Sequence, residues 1–265
     1  MFLTRFRLNT ARPGSRRLLF SPQTMHAAVM SSFPGVLPTT APTADAPRTL
    51  WRLDERARAE VILYLVSPDR PDLTHLVEQA GWPAVATPDD PGWQTRPYQP
   101  FLDRLTAGQH WAFRLTANPV HTIRRKEGEP RKLTAHLTHR HQMGWLLDEK
   151  RQERAGFRIA EKPAERRTLP EGTTSKGHPH HGDRYELSLN DTRSLSFSKS
   201  RQGNTNHSRK DNVTLVTATF EGRLQITDPD LLRRTLTHGI GRARAYGCGL
   251  LTLAPAPKPA GQEAR

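Results

Sequence analysis

The sequence predicts an α+β chain of two successive β-α-β-β-α-β units, and three observations carry that prediction. Short apolar-alternating segments and amphipathic helices follow one another in the same order in both halves. A junction broken by Pro83, Pro88, Pro91, Pro97 and Pro100 separates the two runs. The 265 residues, 35% hydrophobic, are enough for two cores of ordinary size or one large one. The β-α-β-β-α-β order is that of a ferredoxin-like domain. We expect domains over 1–95 and 96–254, with residues 255–265 as a disordered tail.

The elements follow in order. Phe2, Thr4, Phe6 and Leu8 alternate with Leu3, Arg5, Arg7 and Asn9, which predicts a strand with one buried face and arginines on the other. In "SPQTMHAAVMSSF" (21–33), Ser21 suits the N-cap and Pro22 the first helical position. Met25, Ala28, Val29 and Phe33 form its apolar stripe and leave His26 at the edge, one turn in. A Pro/Thr-rich loop precedes two strands, "RTLWRLD" and "AEVILYLVS"; a helix around 72–81 and a strand within 82–98 complete the unit. The second unit reads as a strand at "HWAFRLTAN", a helix over 138–155, and strands at "GFRI", "RYELSL" and "NVTLVTATFEGRLQI". A helix capped by Asp228 with Pro229 in its first turn follows, and the strand "CGLLTLA" closes the order. Gly/Ser/Asn-rich basic insertions near 163–183 and 197–212 are expected to be mobile in the free protein.

Formal charge is +14 and unevenly spread: residues 121–210 hold 20 bases against 11 acids, and the first 26 residues hold five arginines and no acid. Such concentration favours a polyanionic partner over a merely soluble surface. The single cysteine, Cys248, excludes an internal disulfide and any multi-cysteine metal site, and suits a reducing cytoplasm. No apolar run approaches the roughly 20 residues that span a bilayer, so no membrane role is expected.

Two constellations carry candidate chemistry. His26 offers a group that titrates near neutrality. "HGIGRARAYGCGLL" (238–251) interleaves Gly239, Gly241, Gly247 and Gly249 with Arg242 and Arg244 between a helix and the last strand. Glycines let backbone N–H groups approach phosphates and arginines add bidentate donors, but a plain Gly-rich turn fits the spacing equally well. "HTIRRKEGEPRK" (121–132) reads as a basic hairpin or loop. The histidine-dense stretches "HLTHRH" (136–141) and "HPHHGD" (178–183) lack a complete ligand set: His136 and His139 would share a helix face with no acid nearby, so no metal site is expected.

"GIGRARAYGCGLLTL", "WQTRPYQPFLDRLTAGQHWAFRLTANPVHTIR", "LWRLD" and the first-helix histidine together resemble the CasE family, the CRISPR-associated endoribonucleases of type I-E Cascade, over residues 1 to about 254. The resemblance implies two tandem ferredoxin-like (RRM-like) domains. It also implies metal-independent cleavage of precursor CRISPR RNA at the 3′ base of the repeat stem-loop, by 2′-hydroxyl attack, to 2′,3′-cyclic phosphate and 5′-hydroxyl ends. It makes His26 the catalytic histidine and requires no cofactor. The implied RNA-binding residues are Arg16 and Arg17 of the amino-terminal arm, Arg124, Arg125, Lys126, Arg131 and Lys132 of the basic segment, Arg158, Arg166 and Arg167 beyond the next helix, and Gly239, Gly241, Arg242, Arg244, Tyr246 and Gly247 of the glycine loop. Tyr246 would stack on a base or pack under the loop. The implied partners are CRISPR repeat stem-loop RNA and other Cascade subunits, with a cytoplasmic monomer outside the complex. Two departures stand out. Some members carry a tyrosine where this chain has Gln23, which cannot transfer a proton, and relatives often have Gly where it has Ala243. The competing readings are a catalytically silent RNA-binding subunit and a double-stranded DNA scaffold, the latter disfavoured by the lack of a helix-turn-helix signature.

Overall fold

In the computed structural model, the described residues are 1–33, 46–56, 60–87, 90–123, 131–170, 172–199 and 211–256. The elements run β1 (Phe2–Leu8), α1 (Pro13–Phe20), α2 (Pro22–Met30), β2 (Leu50–Glu55), β3 (Val61–Ser67), α3 (Thr74–Ala80), β4 (Trp93–Pro97), α4 (Gln99–Leu102), β5 (His110–Ala117), β6 (Val120–Ile123) and β7 (Lys132–Ala135). They continue with α5 (His139–Leu147), α6 (Glu149–Ala155), β8 (Phe157–Ile159), β9 (Thr174–Ser175), β10 (His178–Pro179), α7 (His181–Arg184), β11 (Leu187–Lys199), β12 (Asp211–Ile226), α8 (Pro229–His238) and β13 (Leu251–Pro255). Two compact units result: residues 1–104 with 194–215 and 237–250, and residues 105–193 with 216–236 and 251–265. The glycine loop therefore groups with the amino-terminal residues.

The first unit holds an antiparallel sheet in the order β2-β3-β1-β4, the ferredoxin-like arrangement. Along β1, Thr4, Phe6 and Leu8 are buried while Arg5 and Arg7 are exposed, as the period-2 pattern predicts. Phe6, Leu8, Leu18, Met25, Val29, Trp51 and Leu76 share one core. Helix α1 is the longest of the helices that sequence periodicity missed, the others being the one-turn α4 and α7. It runs directly into α2, and Ser21 serves as the C-cap of one and the N-cap of the other. Tertiary contacts hold it: the Arg12 guanidinium donates to the Val77, Glu78 and Gly81 carbonyls at the end of α3, and Ser15 Oγ donates to Ala80 O (2.8 Å). Arg12 thus supplies donors and positive charge where a helix C-terminus needs both.

The second sheet runs β13-β5-β12, with β8 and β11 both paired to β12, so the same strand order recurs. The chain therefore has a tandem ferredoxin-like α+β fold. The helix expected over 138–155 is two helices. Asp148 leaves the helical region (φ −58°, ψ 118°) and its Oδ1 accepts from Arg151 N at 2.8 Å, an N-cap that breaks the periodic run. Asp228 caps α8 as expected, its Oδ1 accepting from the Asp230 and Leu231 amides. The expected basic hairpin is seen at its root, where β6 pairs with β7; residues 124–130 at its tip lie outside the described residues. Part of the insertion expected to be mobile is folded: β9 pairs with β10, and Asp183 accepts from the Thr168 and Leu169 amides. Most of the other insertion, residues 200–210, and the tail from 257 lie outside the described residues.

Candidate functional site

Ser21 and Pro22 start α2 where the sequence says they should: Ser21 Oγ accepts from Thr24 N at 3.2 Å. Met25 and Val29 are fully buried on the core side, which turns His26 to the rim of that packing, half-buried. Its Nδ1 is buried with no hydrogen-bond partner among the described residues, and so is Gln23 Oε1 one turn earlier. Burial pushes the His26 imidazole below its ordinary pKa, because the charged form loses its water. Burial thus favours the neutral ring, and its Nδ1 is left without a partner among the described residues, an arrangement a structural histidine seldom leaves.

The glycine loop lies in the same unit. Past α8 the backbone takes positive φ at Gly239, Gly241, Ala243, Gly247 and Gly249, and closes on itself through Ile240 N to Gly249 O (3.0 Å). A Cβ at Gly239 would stand 2.9 Å from the Leu50 side chain, and one at Gly247 2.7 Å from the Trp51 ring, so the loop lies directly on β2. Arg244–Tyr246 form a 3-10 turn that packs against both α2 and β2. Trp51, in the same core as Met25 and Val29, also lies against Gly247, so one side chain touches the packing under the histidine's helix and the loop. Arg244 is half-buried with its Nε donating to Gly241 O (3.1 Å), and burial together with nearby Arg48 pushes its guanidinium below the ordinary value. Arg242 is exposed at the turn. A half-buried guanidinium disfavoured by a like charge makes a place that an anion would stabilise.

Ala243 holds a left-handed conformation (φ 61°, ψ 31°) that a Cβ disfavours by about 1–2 kcal/mol. Ala243→Gly is therefore expected to stabilise the protein by about 1 kcal/mol after the entropic cost of glycine, read as a rise in thermal or denaturant midpoint. An unchanged or lowered midpoint would contradict strain at this position.

The buried pair Arg52–Asp54 went unassigned in sequence reasoning. Both side chains are at most 4% exposed. Arg52 Nε and Nη2 reach the two Asp54 carboxylate oxygens (2.6 and 2.9 Å), and Nη1 donates to Leu250 O (2.9 Å), tying β2 to the end of the loop. The signal was present: an arginine and an acid two residues apart share a face of a strand whose other face is apolar. Tyr246 packs its ring edge-on against Phe197, centroids 4.9 Å apart, so the ring has a protein partner.

The other expected contact residues are distributed as follows. Arg16 and Arg17 are exposed on α1 in the first unit. In the second unit Arg131, Lys132 and Arg158 are exposed, the last two on β7 and β8. Arg166 pairs with Glu186 (2.9 Å) and Arg167 with Glu161 (3.1 Å), so part of their charge is already matched. Arg124, Arg125 and Lys126 lie outside the described residues. His136 precedes α5 and shares no helix face with His139, because Thr138 caps the helix; His136 stacks on His121 instead. Among the described residues no three His, Cys, Asp or Glu side chains gather as a metal-ligand set, and no helix is long and apolar enough to cross a membrane.

Residues 1–255 match the protein family described as CRISPR associated protein. The chain is 29% identical over 258 residues to the CRISPR-associated endoribonuclease Cse3 of Thermus thermophilus, covering 96% of this chain and all of that protein. A solved structure of Thermus thermophilus Cse3 bound to an RNA representing a pre-cleavage complex superposes with a TM-score of 0.65 at 26% identity, covering 96% of this chain and 98% of that one. The CRISPR-associated protein Cas6e of Escherichia coli str. K-12 shares the fold, with a TM-score of 0.57 at 20% identity over 97% of this chain and all of that one.

Proposed function

The chain belongs to the CRISPR-associated protein family, and from that premise we propose that it is an endoribonuclease that cuts precursor CRISPR RNA at the 3′ base of the repeat stem-loop. The observation that carries the reading is the half-buried His26, its Nδ1 unspent, on the helix against which an arginine-bearing, positive-φ loop packs. A relative named as an endoribonuclease and a similar structure with bound RNA support it.

The nucleophile resides in the substrate: the upstream 2′-hydroxyl attacks the adjacent phosphorus in line and expels the 5′-oxygen. The products are a 2′,3′-cyclic phosphate and a 5′-hydroxyl end. His26, whose neutral form burial favours, takes the 2′-hydroxyl proton. Gln23 has no proton to transfer, so the leaving 5′-oxygen takes its proton from solvent and correct in-line placement supplies the rest. Loop N–H groups with Arg242 and Arg244 stabilise the charge on the pentavalent phosphorus. None of these steps calls on a metal ion. The exposed cations of the second unit hold an A-form stem by charge and shape, which retains the product for other Cascade subunits. The protein acts as a cytoplasmic monomer until it assembles.

With His26 as the base, single-turnover rates should rise with pH while the imidazole loses its proton, then stay flat between about pH 7 and 8. Because burial lowers the His26 pKa, the rise should be centred below the ordinary imidazole value. A rate that falls as pH increases over that range would make His26 the acid instead.

The test is labelled host repeat RNA with excess protein in EDTA. One cut yielding cyclic-phosphate and 5′-hydroxyl ends is expected. Strict dependence on added zinc or magnesium would overturn the mechanism, and binding without cleavage would favour the silent RNA-binding subunit.

A further inference from the structure

The two histidine-dense stretches that the cleavage site does not use meet in the second unit. A pocket of about 460 Å³ is walled by the root of the β6–β7 hairpin, by α5 and α6, and by β10 and α7. We propose that this pocket binds a phosphate group, supplied either by free phosphate or by the backbone of bound RNA.

His121 of β6 stacks on His136, centroids 4.3 Å apart, and His136 stacks on His141 of α5 at 5.8 Å. His178 and His181 line the pocket from β10 and α7. Gly144 leaves α5 bare at this point; a Cβ there would stand 3.9 Å from His181 Nε2. Arg140 and Arg151 add two guanidiniums, and the latter is fixed over the Trp145 ring at 4.0 Å with its Nε donating to Trp145 O. Against these seven groups the lining offers a single acid, Asp148, whose Oδ1 already caps α6.

So one-sided an arrangement disfavours further positive charge at two of its imidazoles. Burial first, then His121, His141 and Arg151, push the His136 imidazole below its ordinary value; burial, then Arg140 and Arg184, do the same to His181. A bound oxyanion reverses that balance, because each imidazole that takes up a proton becomes a charged donor facing it. His121 Nδ1, buried and unpartnered among the described residues, is one donor or acceptor still to be satisfied. The rings meet face to face, whereas a metal would need their nitrogens to converge, and no ligand set is found among the described residues. The volume admits a phosphate with its attached sugar.

The test uses the full-length protein without RNA. Inorganic phosphate is titrated against chloride at constant ionic strength, and the histidine Cε1–H resonances are followed by NMR. We expect saturable shifts confined to the pocket histidines, with affinity about tenfold or more higher near pH 6 than near pH 8. His136→Phe, which keeps an aromatic ring, and Arg140→Gln, at the rim, should each weaken binding about tenfold. Shifts spread evenly over all histidines, equal response to chloride, or unchanged affinity in both variants would overturn the proposal. Repeat RNA then separates the sources. Displacement of bound phosphate identifies an RNA phosphate as the occupant, and phosphate that remains beside bound RNA identifies the free anion. Either result leaves the site standing, and neither depends on cleavage.

Discussion

His26→Ala is expected to slow single-turnover cleavage of repeat RNA by about 10² to 10⁴ with binding largely unchanged. The expectation rests on location as much as on residue type. His26 sits at the rim of a helix whose inner face, Met25 and Val29, is fully buried, so truncation to alanine removes an imidazole without opening the core. Alanine also favours the helix. The orphaned Nδ1 means that no hydrogen bond among the described residues is lost. A drop confined to the rate therefore reports chemistry, whereas a parallel loss of RNA binding would point to a structural role. Unchanged cleavage would remove His26 from the mechanism.

Asp54→Ala should destabilise the fold by about 3–5 kcal/mol, because it leaves the Arg52 guanidinium buried beside the Leu250 carbonyl without its carboxylate. Urea or thermal unfolding reads this directly. The double replacement Arg52→Met with Asp54→Leu separates folding from function. Apolar side chains of similar volume can restore most of the lost stability, but the tie from β2 to Leu250 is gone. We expect that variant to fold and still cleave slowly, because the loop loses an anchor that sets it against α2. Full activity in the folded double variant would show that the pair stabilises the core and does not position the loop.

Much of the fold could be read in the sequence because its signals are local. Period-2 burial along β1, the Ser21–Pro22 start of α2 and the Asp228 cap of α8 all depend on neighbours within a few residues. Some features that escaped depend on distant partners, and others on local caps that override a periodic run. Helix α1 is fastened by Arg12 and Ser15 to carbonyls at the end of α3, more than 60 residues away in sequence. The single helix expected over 138–155 divides because Asp148 prefers capping a new helix to continuing the old one. His136 falls outside α5 because Thr138 caps it, which turns an expected helix-face pair into a stack with a strand residue. For the candidate site, His26 and the glycine loop were each visible as residue types in a pattern. Their packing in one unit, where the Arg244–Tyr246 turn meets α2, was not, since more than 200 residues separate them.

A structure of the protein with repeat RNA carrying a 2′-deoxy substitution at the scissile nucleotide tests the shared site most directly, because binding proceeds and the cut cannot. The account predicts the His26 imidazole within hydrogen-bond reach of the sugar C2′ position, and Arg242, Arg244 or loop amides on the adjacent phosphate. A scissile phosphate lying beyond the reach of either group would contradict it.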